Sequence, residues 1–326
     1  MSRILRETQD PIGSVQMALL LHSVPHLGEK ALARLLRTGV LMRSSPDELL
    51  ALTEKEWVMQ FELESRAANY ISMHRENLKA LSAETARMLR LNGIHLLTCN
   101  SFTYPEKLEK YDDAPPPLLY ALGNLELLEH KTGHFTFATV LSNGSSSNSL
   151  TLQDRIASSL ISAGGMPVTG HDRKAYQRLA LCAQRVNRPA IYMLDRGLRE
   201  ALGPQFDLPL FAAARIREIA FNVERDIALS PFRLDDHCLG GNNRRRDRLI
   251  FAQADLIIAI EVRADGSMYN ECMRVREQGR PLLVIDSGEP GNSSLLEAGC
   301  TKLISDSDDW AETVRLAALH GEVKDG

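Results

Sequence analysis

Few of the features that announce a chemistry are present. Five cysteines in 326 residues, Cys99, Cys182, Cys238, Cys272 and Cys300, stand far apart with no CxxC pair. That spacing argues against structural zinc and fits a reduced, cytoplasmic setting. No run approaches the roughly eighteen apolar residues of a membrane span. The N-terminus carries acidic residues and lacks an uninterrupted apolar stretch, so it does not read as a signal peptide. Neither GxxxxGK[ST] nor GxGxxG occurs, which removes the P-loop and the dinucleotide fingerprint. The net charge of −4 excludes a wholly basic nucleic-acid binder, and any polyanion site must be a local patch. What remains is a chain 44% hydrophobic and 25% charged, ordinary for a globular protein with a full core and long enough for two domains.

The local patch is found in Gly240–Ser267. Arg244, Arg245, Arg246 and Arg248 follow Gly240-Gly241-Asn242-Asn243 and precede a short apolar run. Leu256 to Ile260 is continuously apolar, the pattern of a strand buried on both faces of a parallel sheet. Glu261 stands at the carboxyl edge of that strand, where open α/β sheets place their ligand crevices, and Gly266-Ser267 forms a turn beyond it. Together these residues make an anion site the sharpest functional signal in the chain.

In chain order, residues 14 to about 90 show helical spacing, with helices expected at 14–21, 30–36, from 45, 54–60 and 64–91. Ser23-Val24-Pro25-His26-Leu27-Gly28 joins the first two in a helix-hairpin-helix-like pattern, which is either a phosphate-facing turn or a plain αα-corner. His22, His26 and His95 lie among apolar residues and read as structural. The period changes at Gly93. Strands are expected at 94–98, 118–123, 137–141, 167–169, 190–194, 228–230, 255–261, 281–286 and 302–304, with a loop opening at Tyr104-Pro105. Helices are expected at 152–163, 173–186, 211–220, 247–253, 269–278, 293–298 and 308–319. This alternation predicts an α/β fold: a Rossmann-like, mostly parallel sheet with helices on both faces over 91–326, preceded by a small all-α domain over 1–90. His171-Asp172 has the composition of an acid–base pair, but adjacent residues seldom face each other. Ser142–Ser149 reads as a phosphate loop or a flexible connection.

Several segments, in this order and spacing, resemble the DprA/Smf DNA-processing family. They are Tyr104-Pro105-Glu106-Lys107-Leu108, Pro115-Pro116-Pro117-Leu118-Leu119-Tyr120-Ala121-Leu122-Gly123-Asn124, Arg246-Asp247-Arg248-Leu249-Ile250 and Asp265-Gly266-Ser267. Gly279-Arg280-Pro281 and the run from Gly291-Asn292 to Gly299-Cys300 continue the series, and the likeness spans roughly 14–304. A helix-hairpin-helix or SAM-like N-terminal domain belongs to the same architecture. This chain departs from the family in having Ser142-Asn143-Gly144 for the GSR turn and Thr169-Gly170-His171-Asp172 for the longer SGxAxGID segment. Asp247 stands where the family's RNR has asparagine, and the winged-helix tail of many members has no counterpart.

The resemblance implies a single-stranded DNA-binding protein that acts in recombination, transformation or defence against foreign DNA and delivers DNA to a RecA-type recombinase. It implies a homodimer, no membrane, no cofactor, no metal and no catalytic residue. In that reading Arg244, Arg245, Arg246 and Arg248, with Asn242 and Asn243, engage backbone phosphates. Backbone N–H groups of Gly144, Ser145 and Ser146, and of Gly266 and Ser267, cradle a phosphate. Asp247 and Glu261 orient guanidinium groups. Only Phe232 and Phe251 lie near the arginines in sequence, so base stacking would be limited. The alternative is a nucleotide-binding sensor or a nucleotide glycosidic-bond hydrolase, with Glu261 near the ribose and the arginines on the phosphate. Against hydrolysis, Asp265-Gly266-Ser267-Met268 with Glu271 only faintly echoes PGGxGTxxE. A third option is an interaction scaffold whose ligand site has decayed.

Overall fold

A computed structural model describes residues 12–38, 45–129, 134–211, 221–304 and 310. They belong to two compact units, 1–104 with 114–126 and 105–113 with 127–326. The helices expected over 211–220 and 308–319, and the polar N-terminal segment, lie outside the described residues but for Phe211 and Trp310.

The first unit begins with α1 (Ile12–His22), whose residues Met17 to Leu21 are all buried. Burial at five consecutive positions makes it the centre of the helical cluster rather than an amphipathic surface helix. Around it follow α2 (Glu29–Arg37), α3 (Pro46–Ala51), α4 (Glu54–Phe61), α5 (Ser65–Met73) and α6 (Arg75–Leu91), with α1 packed on α6. Ser45 with Glu48 and Thr53 with Glu56 form capping boxes that satisfy the first amides of α3 and α4. The single helix expected over 64–91 is broken at His74, which leaves helical geometry and lies with its ring 4.2 Å from that of Tyr70. Neither Gly nor Pro marks the break, so hydrophobic spacing passes over it. Strands β1 (Ile94–Thr98) and β2 (Leu118–Gly123) pair antiparallel, and β1 packs on α6. Contacts therefore draw both strands to the helical unit, beyond the boundary expected after residue 90. His22 meets the Tyr120 hydroxyl at 3.0 Å.

The second unit opens with α7 (Glu106–Tyr111), a helix where the sequence reading has a loop. Its strands are β3 (Phe135–Leu141), β4 (Gly165–Thr169), β5 (Ile191–Met193), β6 (Ile227–Ser230), β7 (Leu256–Glu261), β8 (Leu282–Ile285) and β9 (Thr301–Leu303). They stand in the order β6-β5-β4-β3-β7-β8-β9, and each pair with a resolved register is parallel. Parallel strands require crossovers. These contain α8 (Ser147–Ser162), α9 (Lys174–Arg185), α10 (Leu198–Leu202), α11 (Asn242–Gln253), α12 (Ser267–Glu277) and α13 (Pro290–Glu297). Leu256 to Ile260 have no exposed surface, as the unbroken apolar run predicts for a central strand. The fold is thus α/β and Rossmann-like, with a helical region before it.

The chain leaves β3 towards β4, β5 and β6, then returns on the other side at β7. That reversal is a topological switch point, and a crevice forms beyond the carboxyl ends of the two strands. The β3–β7 register shifts there: Val140 faces Ala259, but Leu141 faces Glu261. The crevice wall is pinned by Asn292, wholly buried at the start of α13. Its Oδ1 accepts from the Val262 amide at 2.8 Å, and its Nδ2 donates to the carbonyls of Ile260 (3.1 Å) and Ile285 (2.7 Å). Elsewhere Arg280 lies 4.1 Å over the Tyr111 ring and donates to the carbonyls of Phe251 and Ala254 at the end of α11. Burial pushes its guanidinium down to about 10.

Asn292→Ala leaves buried donors and acceptors at the ends of β7 and β8 without partners, so it should cost about 2–4 kcal/mol. Urea unfolding of the variant beside the parent measures this, and an unchanged midpoint would mean that Asn292 does not secure the strand ends.

Candidate nucleic-acid interface

The helix expected over 247–253 begins at Asn242. The arginine cluster therefore lies inside α11, and consecutive residues of a helix point about 100° apart. Arg244, Arg245 and Arg246 cannot share one face, and Arg248, on the same side as Arg244, is drawn to a carboxylate. Arg246 has no exposed surface. Its Nε donates to Asp247 Oδ1 at 2.6 Å, its terminal nitrogens bind Asp172, and its guanidinium lies 4.8 Å over the Tyr176 ring. A β-carbon at Gly170 would come within 2.8 Å of Arg246 Nη1, so this arginine also explains a glycine in the loop after β4. Arg248 is bonded to the buried Asp112. Arg245 is half-buried, whereas Arg244 is exposed with no carboxylate at ion-pair distance among the described residues.

The neighbours of these arginines are structural partners too. Asp247 accepts from the Tyr176 hydroxyl at 2.8 Å and stands 3.1 Å from Arg173 Nη2, so it faces two guanidinium groups. Asn242 Nδ2 donates to the Asp195 carbonyl in the loop after β5 at 2.9 Å. Asn243 Oδ1 lies 3.5 Å from Arg246 Nη2. The start of α11 is thus tied to the loops after β4 and β5, with Arg244 outside that network.

At the switch point, Ser142 donates its amide to the Glu261 carbonyl at 2.8 Å and Gly144 turns the chain with φ +81°. Ser146 caps α8, its Oγ accepting from the Ser149 amide at 3.1 Å. The start of a helix attracts an anion, and here the anion is the protein's own. Glu261 accepts from the Ser146 amide and from Ser146 Oγ, both at 3.1 Å. It contacts no arginine within ion-pair distance among the described residues, which differs from the guanidinium-orienting role expected of it. Partial burial raises its carboxyl pKa, but hydrogen bonds from Ser149, Ser146 and Ser145 outweigh that and hold it below the ordinary value. Ser145 Oγ turns back to the Ser142 carbonyl at 2.6 Å. Across the crevice, Gly266 precedes α12, which opens on the exposed Ser267.

Sequence reasoning missed Arg263. Its backbone amide donates to Ser142 Oγ at 3.0 Å, and a β-carbon at Gly144 would stand 3.3 Å from its Nη2. The turn after β3 has no basic residue of its own, yet a guanidinium reaches it from the strand beside it. The available signal was position, two residues past a strand-ending Glu at a crevice edge. Asp195 was also missed. His171, rather than pairing with its neighbour Asp172, holds Nε2 3.7 Å from Asp195 Oδ1. Asp195 also contacts Arg196 at 2.9 Å and Cys238 Sγ at 3.4 Å. Burial pushes the His171 imidazole down to about 4 against the opposing pull of Asp195, and it pushes the Cys238 thiol up, the reverse of what a reactive thiolate needs. Among the described residues no cluster of His, Cys, Asp and Glu has metal-site geometry, and no helix is long and apolar enough to cross a membrane.

A profile of the family described as DNA recombination-mediator protein A matches residues 95–317. Among solved structures, DNA processing protein A from Streptococcus pneumoniae superposes with a TM-score of 0.67 at 17% identity, over 88% of this chain and 94% of that one. DNA processing protein A from Helicobacter pylori, described by its single-stranded DNA binding mode, superposes with a TM-score of 0.52 at 18% identity, over 69% and 98%. At these identities the likeness is one of fold. No curated protein matches the sequence.

Two predictions follow from the buried network. Arg246→Ala would take a buried guanidinium from Asp172 and Asp247, leaving Asp247 with Arg173 alone, and should cost about 3–5 kcal/mol by urea unfolding, whereas Arg244→Ala should leave the melting temperature in place. Equal effects of the two would contradict the assignment. The second concerns acid. An unfolded imidazole takes up a proton as pH falls through 6.5, but His171 in the folded chain does so only near 4. The unfolded state therefore holds more protons in that window, and stability falls as pH drops, by at most about 3 kcal/mol. His171→Gln should remove that component of the pH dependence between 6.5 and 4; a variant with the parent's slope would rule it out.

Proposed function

Because the chain belongs to the family of DNA recombination-mediator protein A, we propose that it binds single-stranded DNA along the carboxyl-end crevice of its parallel sheet. The observation that carries this reading is the exposed, carboxylate-free Arg244 at the start of α11, on the crevice side of a chain whose net charge is −4. Cations placed this way neutralise phosphates without reading bases, which gives sequence-tolerant and salt-dependent binding. Arg245, half-buried beside it, points about 100° away around the helix. Arg246 and Arg248 support the site indirectly, by fixing α11 through Asp172, Asp247 and Asp112. The likeness of fold to the Helicobacter pylori protein, described as binding single-stranded DNA, supports the same ligand.

From this reading follow the finer proposals. The protein acts by binding rather than by catalysis, needs no cofactor, works in the cytoplasm as a homodimer, and passes bound single strands to a RecA-type recombinase in recombination, transformation or defence. The amides of Gly144 and Ser267 form the opposite wall, those of Ser145 and Gly266 being donated to the Ser142 and Arg263 carbonyls within their own turns. A nucleotide-sensing or glycosidase site is the rival reading. Glu261 weighs against it, since its carboxylate occupies the helix start that a nucleotide phosphate would take.

Fluorescence anisotropy with a single strand, a duplex and mononucleotides in one assay tests the proposal. The single strand should bind most tightly, with log K falling by about 0.7 per phosphate contact for each decade of salt. The double variant Arg244→Ala/Arg245→Ala should weaken it by roughly five- to tenfold or more. Binding of mononucleotides with none of the single strand would overturn the reading in favour of its rival.

A further inference from the structure

We propose that Arg263 is a phosphate-contact residue of the β3–β7 crevice, and that it replaces the start of α8 as the anion attractor there. This rests on the DNA-binding reading and adds a residue and a position to it. Several arginines on the loops and helix starts at the carboxyl ends of the strands meet a carboxylate. Arg173 stands against Asp247, Arg196 against Asp195 and Arg199 against Asp235, while Arg246 is enclosed between two. Arg263 is exposed and has no such partner among the described residues. An unneutralised guanidinium at a switch point is the arrangement expected where the partner is a ligand rather than the protein.

Its base is held while its head is not. The Arg263 amide is bonded to Ser142 Oγ at 3.0 Å, and the preceding amide, that of Val262, to the buried Asn292 at 2.8 Å. Gly291 explains how closely α13 approaches this backbone, since a β-carbon there would strike the Val262 carbonyl. The side chain then crosses to the turn after β3, where Gly144 admits it: the φ of +81° favours glycine, and any β-carbon would crowd Nη2 at 3.3 Å. That turn contains no other cation, and at the start of α8 the Ser146 amide and hydroxyl already meet the Glu261 carboxylate while the Ser149 amide is capped by Ser146 Oγ. A phosphate drawn to the turn is therefore held outward by Arg263, on the rim, and not inward on the helix. A rim contact of this kind suits a phosphodiester in a continuous backbone, and it reads no base edge.

The test is an anisotropy titration of an oligodeoxythymidylate across a salt series, with Arg263→Ala, Arg263→Gln, Arg263→Lys and Arg244→Ala beside the parent. Loss of one phosphate contact should weaken Arg263→Ala and Arg263→Gln about fivefold and make the salt slope shallower by about 0.7. Arg263→Lys should keep the slope, because the charge remains, and all melting temperatures should match the parent's. If Arg263→Ala and Arg263→Gln keep the parent's affinity and slope while Arg244→Ala weakens binding, Arg263 is no contact and the DNA-binding reading stands. If the parent fails to bind the oligonucleotide at low salt, both fall together.

Discussion

A guanidinium with no exposed surface must be surrounded by acceptors, because an unpaired buried charge costs several kcal/mol. Arg246 is such a group, and much of the second unit is arranged to meet that demand. Asp172 comes from the loop after β4, Asp247 from the next position of α11, and the Tyr176 ring from α9 closes over the planar face. Gly170 leaves room for the approach. The result fixes where α11 begins and which way it is turned. Once Arg246 points inward, helical geometry sends Arg244 out, and Asp112 draws Arg248 into the packing against α7. The outer charge of the crevice is a consequence of the inner one.

Charge at the switch point is divided by a similar logic. The start of α8 would be the natural seat for a phosphate, but Glu261 fills it, aided by the register shift that sets this residue opposite Leu141. The proposed DNA site is therefore a rim of exposed guanidinium groups over a floor already neutralised by the protein. Such a rim favours a continuous polyanion over a single nucleotide phosphate, which needs a deeper seat. The His171–Asp195–Cys238 group resembles catalytic machinery in composition only. Its imidazole is kept neutral by burial at ordinary pH, and its thiol is held protonated.

Much of the fold was legible in the chain. The unbroken apolar run of Leu256 to Ile260, the alternation of strand and helix after residue 135, and the order of short segments from Tyr104 to Cys300 pointed to a Rossmann-like sheet of the DNA-processing family. The site was legible as a region rather than as contacts. Arg244 to Arg248 read as one patch because charge density in sequence carries no direction, and the helix start at Asn242 that separates them depends on bonds to Asp195 and Asp172. Arg263 was hidden because a lone arginine after a strand is common, and its significance comes from the turn after β3, about 120 residues earlier. Glu261 was placed at the right edge, but its partner is a serine amide. The helix α7 packs on α11 and the break at His74 lies beside Tyr70, and hydrophobic spacing records neither.

Hydrogen–deuterium exchange with and without a saturating oligodeoxythymidylate tests most directly whether single-stranded DNA lies along this crevice. Slowed exchange should appear at 142–146, 240–245 and 262–267, the backbone around Gly144, Arg244 and Arg263. The interior strands should be unchanged, since they are already protected. Protection confined to the N-terminal helices, with those three segments unaffected by bound DNA, would contradict it.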